Sequence, residues 1–237
     1  MSSEKNFLSH PELEPYFQEL LPELVTESDR GAILLGVSQI DEHLKTLFEH
    51  LLPEGISNKR RKEIFNLTGP FGSFSSKLEI ALVCRLLPPS LVSAVHKIRK
   101  MRNDLAHKTS SFSLADHQEQ LYEIFSLLGP GVDIGINRLT LDFLMERMLS
   151  KLLKLGHPID EGVPLFDGKP EAVQYLSENG EVLKILEEQR PRWELSIGVG
   201  VICGVILLHR DKISSALKGT DTLLSLASKN VQDEPNQ

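Results

Sequence analysis

The run LSIGVGVICGVILL, Leu195 to Leu208, carries no charge, so it belongs either in lipid or in the middle of a protein core. Arg190, Arg192 and Trp193 bound it on one side, and His209, Arg210 and Lys212 on the other. Gly198, Gly200, Gly204 and the β-branched residues weaken an isolated helix in water, whereas membranes tolerate both. Gly200 and Gly204 also have the spacing that lets two membrane helices approach closely. Against a span, the run is about 21 Å long at the helical rise, short of the roughly 30 Å hydrocarbon core. Two readings stand: a helix that anchors the chain to the inner face of a membrane, or a buried or oligomeric helix. An amphipathic stretch, Ile213 to Ala227, and the polar end NVQDEPNQ follow it as a tail.

Upstream, the apolar pattern has the helical period. Ile33, Val37, Ile40, Leu44, Leu47 and Leu51 recur at three and four residues on one long helix, which Pro53 and Gly55 end. NLTGPFGSFSSKLEIALVCRLL breaks at Gly69, Pro70 and Gly72, and a helix restarts where Ser76 and Glu79 have capping-box spacing. Pro88 and Pro89 stop it. The next helix runs from about Ser90, with Leu91, Val95, Ile98, Met101 and Leu105 as its stripe. Ser113 with Asp116 starts another, carrying Leu114, Leu121, Ile124, Phe125 and Leu128.

After the turn-rich GPGVDIGIN, a helix from about Leu139 to Leu155 is apolar on more than one side, which suits packing between two layers or against a partner. Gly156 to Pro170 reads as a linker, with Val163 to Phe166 as a short extended piece. EAVQYLSENGEVLKILEEQ reads as a helical hairpin broken at Asn179-Gly180. No alternating strand of any length and no internal repeat occurs, so the fold class is all-α. The expected organisation is a helical domain over 1–155, a linker and helical hairpin over 156–192, and the apolar helix with its tail over 193–237.

The 237 residues carry a net charge of -7, which argues against a general polyanion binder. Local basic clusters remain: Lys59, Arg60, Arg61 and Lys62, and then Lys97, Arg99, Lys100, Arg102, His107 and Lys108. Cys84 and Cys203 each sit inside an apolar run, which suits buried thiols in a reducing compartment better than a disulfide or zinc site. MSSEKNFLSHPELEP lacks the apolar stretch of a secretory signal, so the main domain is expected to be cytoplasmic. No cofactor or metal is expected. GPFGSFSSK lacks a glycine-lysine-serine ending, and Pro70 removes a backbone donor, so a helix-entry turn is the better reading than a phosphate loop. His43 and His50, seven apart, share a helix face without an accompanying carboxylate–histidine metal pattern.

ESDRGAILLGVSQIDEHL (Glu27 to Leu44), NLTGPFGSFSSKLEIA (Asn66 to Ala81) and IRKMRNDLAH (Ile98 to His107) together resemble, in content and order, the mannitol operon repressor family. The resemblance covers about Pro11 to Ser150, and the chain departs from it from Gly156 onward. That family looks like a branch of the HEPN superfamily, which implies an antiparallel helical bundle, here with a C-terminal extension. Its hallmark is an arginine, a polar residue and, a few residues later, a histidine; Arg102, Asn103 and His107 match it. In active HEPN ribonucleases such groups cleave RNA without metal, the histidine moving a proton and the arginine holding the phosphate. Asn103 would add a hydrogen bond or fix the imidazole.

Geometry restricts that chemistry. Arg102 falls within the apolar stripe between Ile98 and Leu105, and His107 lies about 140° around the helix from it. Either the helix ends near Ala106, or Arg102 faces a groove, within the bundle or shared with a second copy. Alternatively, Arg102 and His107 simply tie neighbouring helices together. Asp29 and Arg30 suggest a polar contact at the mouth of the bundle, or a helix N-terminal acid beside a surface arginine.

Two functions follow. One is a regulatory interaction protein that controls transcription or transport indirectly through an unidentified protein partner. It would be a homodimer, without direct DNA binding, since no basic recognition helix is present. The alternative is a metal-independent endoribonuclease acting on RNA in stress or phage defence, tethered to a membrane through Leu195 to Leu208.

Overall fold

The computed structural model describes residues 10–107, 112–157 and 164–232. The protein is an all-α bundle, with nine α-helices and no β-strand among the described residues. A 3-10 turn (Pro11–Leu13) and a π-helical turn (Tyr16–Leu20) lead into α1 (Leu21–Thr26) and α2 (Asp29–Glu49). Then come α3 (Asn58–Phe65), α4 (Phe74–Val83), α5 (Pro89–His107), α6 (Gln118–Ser126), α7 (Val132–Leu152), α8 (Lys169–Glu178) and α9 (Gly180–Gln232).

The helix limits follow from local chemistry. Ser28 caps α2, its hydroxyl accepting from the Gly31 N–H at 3.1 Å. Pro89 opens α5, where its missing N–H removes nothing the first turn would use. The cap of α4 is Ser73, accepting from the Ser76 N–H at 3.0 Å, so this helix starts ahead of the Ser76 capping box the sequence suggested. Gly69 and Gly72 stand where a Cβ would collide with the backbone at Glu63–Ile64 and Asn66–Leu67, the signature of a tight helix-entry turn. Past Leu114 the chain makes a 3-10 turn, Ala115–His117, before α6, and the Ser113 hydroxyl caps only the Ala115 N–H at 3.2 Å. α7 begins at Val132 and not near Leu139; only Gly129 to Gly131 act as a turn, two of them with positive φ.

α9 sits at the centre of the bundle. A surface helix buries one stripe, but here Leu195, Ser196, Ile197, Val199, Val201, Ile202, Cys203, Ile206 and Leu207 are all buried, which covers every side of the helix. α1, α2, α6, α7, α8 and the N-terminal turn surround it. α2 and α9 run in the same direction: Arg192 meets Asp29 and, seven residues on along each helix, Val199 meets Gly36. Residues from Leu13 to Leu144 and from Trp193 to Leu207 share one hydrophobic core, so α9 completes the bundle that the earlier helices begin. α8 covers a smaller core of Leu149, Phe166, Ala172 and Leu176.

The break at Asn179 separates α8 from α9 as the sequence indicated. Of the short extended piece, Pro164 makes one isolated bridge to Gly156, and Val163 lies outside the described residues. Pro191 does not end α9, which continues through the apolar run and onward.

Candidate functional site

Arg102 and Asn103 are exposed on α5, one turn from its C-terminus; Ile98, Met101 and Leu105, which flank Arg102 around the helix, are buried. The guanidinium Nη1 of Arg102 donates to Asn103 Oδ1 at 3.4 Å, a long hydrogen bond. Arg102 is therefore not a buried tie between helices. It faces a groove of about 380 Å³ lined by Arg30 and Leu34 of α2 and by Arg102, Asn103 and Leu105 of α5. Leu105 forms its floor, and Leu34, 52% exposed, forms a wall. Of the two arrangements that the helical wheel allowed, α5 takes the second: it stays helical through His107, and Arg102 looks into a groove. The side chain of His107, and Lys108 entirely, lie outside the described residues.

The sequence patterns also place several charges that hold the bundle together. Asp29 binds Arg192 of α9 through one oxygen, at 2.9 Å from Nε and 2.7 Å from Nη2. Its other oxygen accepts the Leu114 backbone N–H at 2.7 Å. One carboxylate thus joins α2, α9 and the approach to α6. Lys77 is buried and pairs with Asp41 at 2.8 Å, which connects the α2 and α4 segments of the family resemblance. At the far end of the core, Arg210 takes Glu12 in a two-pronged pair at 2.7 and 2.6 Å, and His10 meets Asp211 at 3.0 Å. These contacts hold the N-terminal segment against α9. The Arg210 guanidinium lowers the Glu12 carboxyl from its ordinary range, with burial opposing it. Ion pairs between residues more than 150 positions apart leave no local sequence signal, which is why Arg192 and Arg210 were seen only as flanks of an apolar run.

The basic clusters are partly neutralised. Lys97 pairs with Glu123 at 2.6 Å and Arg60 with Glu63 at 3.2 Å. Lys97, Lys100, Asp104 and Glu123 line a separate mixed-charge cleft between α5 and α6. His50 is exposed. The Nδ1–H of His43 donates to the Gln39 carbonyl at 2.9 Å, and burial, first among several causes, lowers the pKa of this histidine. No group of three or more metal-ligating side chains occurs among the described residues. Cys203 is buried as expected, with burial pushing its thiol up, but Cys84 is exposed, because α4 ends at Val83 and Cys84 is its C-cap.

Set against protein-family profiles, curated proteins and solved structures, the chain matches none of them.

Proposed function

We propose that this protein is a regulatory binding module of the mannitol operon repressor type, acting on transcription or transport through contacts with another protein. One observation carries the reading: among the described residues, a groove lined by two arginines, two leucines and an asparagine, and by no carboxylate, on an acidic chain. A local cationic spot with an aliphatic wall suits a protein surface better than a continuous polyphosphate, which needs an extended basic track. The cover around Leu195 to Leu208 supports a core helix inside a cytoplasmic protein. By length and composition the helix could cross a membrane, but 83% of its most apolar stretch is already packed inside the bundle. The exposed Ile134, Leu141 and Phe143 of α7 support a homodimer. A monomer at micromolar concentration in sedimentation would remove that part of the reading.

A photo-crosslinking amino acid placed at Leu34 in living cells should give protein adducts that Arg102→Glu suppresses. Nucleic-acid adducts in their place would overturn the binding-module reading.

The exposed Arg102–Asn103 pair, one turn before a histidine, favours metal-independent RNA cleavage as the second reading. Purified protein incubated with mixed RNA and chelator decides between them. Intact RNA is expected; products ending in cyclic phosphate that His107→Ala abolishes would put the nuclease first.

A further inference from the structure

We propose that the groove between α2 and α5 takes a short acidic peptide segment in which a carboxylate stands beside an aliphatic side chain. The proposal rests on the binding-module reading and names the chemistry of its partner. Its polar half is Arg102, which makes no ion pair among the described residues and presents a planar fork of donors, matched by a carboxylate with two oxygens. Asn103 holds that fork from one side through Oδ1, which leaves its amide NH₂ to donate to a peptide carbonyl. Arg30, across the groove on α2, adds a second positive charge. The nearest acid on α5, Asp104, lies in the other cleft with Lys97 and Lys100.

The apolar half selects among anions. Leu34 is 52% exposed, whereas Ile33, Val37 and Ile40 of the same helix are buried, so it is an apolar wall left uncovered among the described residues. Leu105 supplies the floor. An aliphatic side chain of the partner would remove the exposed Leu34 from water, a gain that a free phosphate cannot make. RNA is the poorer fit, because no aromatic side chain among the described residues lines the groove to stack a base, and the net charge of -7 opposes a long polyanion. At about 380 Å³ the groove is near the bottom of the roughly 300–1,000 Å³ range of ligand clefts, room for a few side chains only.

The test is selection of a displayed random decapeptide library on full-length protein, followed by fluorescence anisotropy with the enriched peptide labelled with fluorescein. The expected consensus sets Asp or Glu next to Leu, Ile or Val. Arg102→Gln should weaken the peptide by about tenfold or more, since a hydrogen bond to a charged group contributes roughly 1.5–3 kcal/mol. Leu34→Ser should also weaken it, and Lys59→Gln on α3 should not. Both groove residues are exposed, and an unchanged melting temperature confirms that the variants fold. A consensus without acids, or a peptide indifferent to Arg102→Gln, overturns this groove assignment while the binding-module reading stands. Failure to enrich any peptide overturns the proposal outright. Arg102-dependent binding of a fluorescein-labelled dodecanucleotide RNA in the same assay would overturn the binding-module reading as well.

Discussion

Gly200→Ala reports, by the sign of its effect, what surrounds the apolar helix. An added Cβ would lie 2.7 Å from Tyr16 Cε1 and 3.1 Å from Phe17 Cζ, and the first distance falls 0.7 Å short of the 3.4 Å at which ordinary contact begins. The Tyr16 ring is buried and cannot move aside freely, because its hydroxyl donates to the Ser196 carbonyl on the preceding turn of α9. Forcing a methyl into such packing costs about 1–3 kcal/mol, and straining the hydroxyl contact adds up to about 1 kcal/mol. Alanine's better helix propensity returns about 1 kcal/mol, so the net expectation is a loss of up to about 3 kcal/mol. For a domain of this size that lowers Tm by up to about 12 °C. Urea denaturation of purified full-length protein measures it. Tyr16→Ala should destabilise by itself, yet in that background Gly200→Ala should turn neutral or stabilising, because the ring that it strikes is gone. A stabilising Gly200→Ala in the wild-type background would refute the reasoning, since a helix face open to lipid or solvent gains from alanine.

Asp29→Ala should cost about 2–3 kcal/mol, because it strands Arg192 and the Leu114 N–H together. A loss under about 0.5 kcal/mol in the same denaturation experiment would show that the three-way joint is ornamental. Val201→Arg places a charge at a side chain 3% exposed and should yield unfolded or aggregated protein, whereas Leu217→Arg, 44% exposed, should leave folding unchanged. Circular dichroism and solubility separate the two, and a well-folded Val201→Arg protein would contradict the central place of α9. His43, whose pKa burial depresses, favours the folded state while neutral. Its contribution is therefore present above the unfolded value near 6.5 and lost as pH falls through it toward the folded one. Stability should decline as pH falls below about 6.5, and His43→Gln should flatten that decline; an identical slope in the variant would assign the pH dependence to other groups.

Helical period, capping and breaking residues are local quantities, and they were legible in the sequence. The all-α class, the α2 stripe from Ile33 to Leu47, a start of α5 near Ser90 and the break at Asn179 all follow from interactions within a few residues. Where local signals were balanced, the boundaries moved. GPGVDIGIN contains enough glycine to read as turn, yet Ile136 gains a place in the core and draws α7 back to Val132. Pro191 loses one backbone bond, and packing on both sides of it keeps α9 continuous.

An uncharged run meets the same solvent requirement in lipid as in a protein interior, so Leu195 to Leu208 was compatible with either from composition alone. Only the tertiary structure wraps Tyr16, Phe17, Phe125 and Val199's partner Gly36 around it. Of the pair whose spacing suits membrane packing, Gly200 is a notch for the rings of Tyr16 and Phe17, and the neighbouring Gly198 is one for Phe125. The candidate site divides in the same way. The RNDLAH pattern picked out Arg102 and Asn103 by residue type, but the groove needs Arg30 and Leu34 from a helix some seventy residues earlier. Bringing them together depends on how α2 and α5 pack, and α2 is held in turn by Asp29 gripping Arg192. Such juxtapositions arise from burial and ion pairing between segments that are strangers in sequence, which is why only the folded chain reveals them.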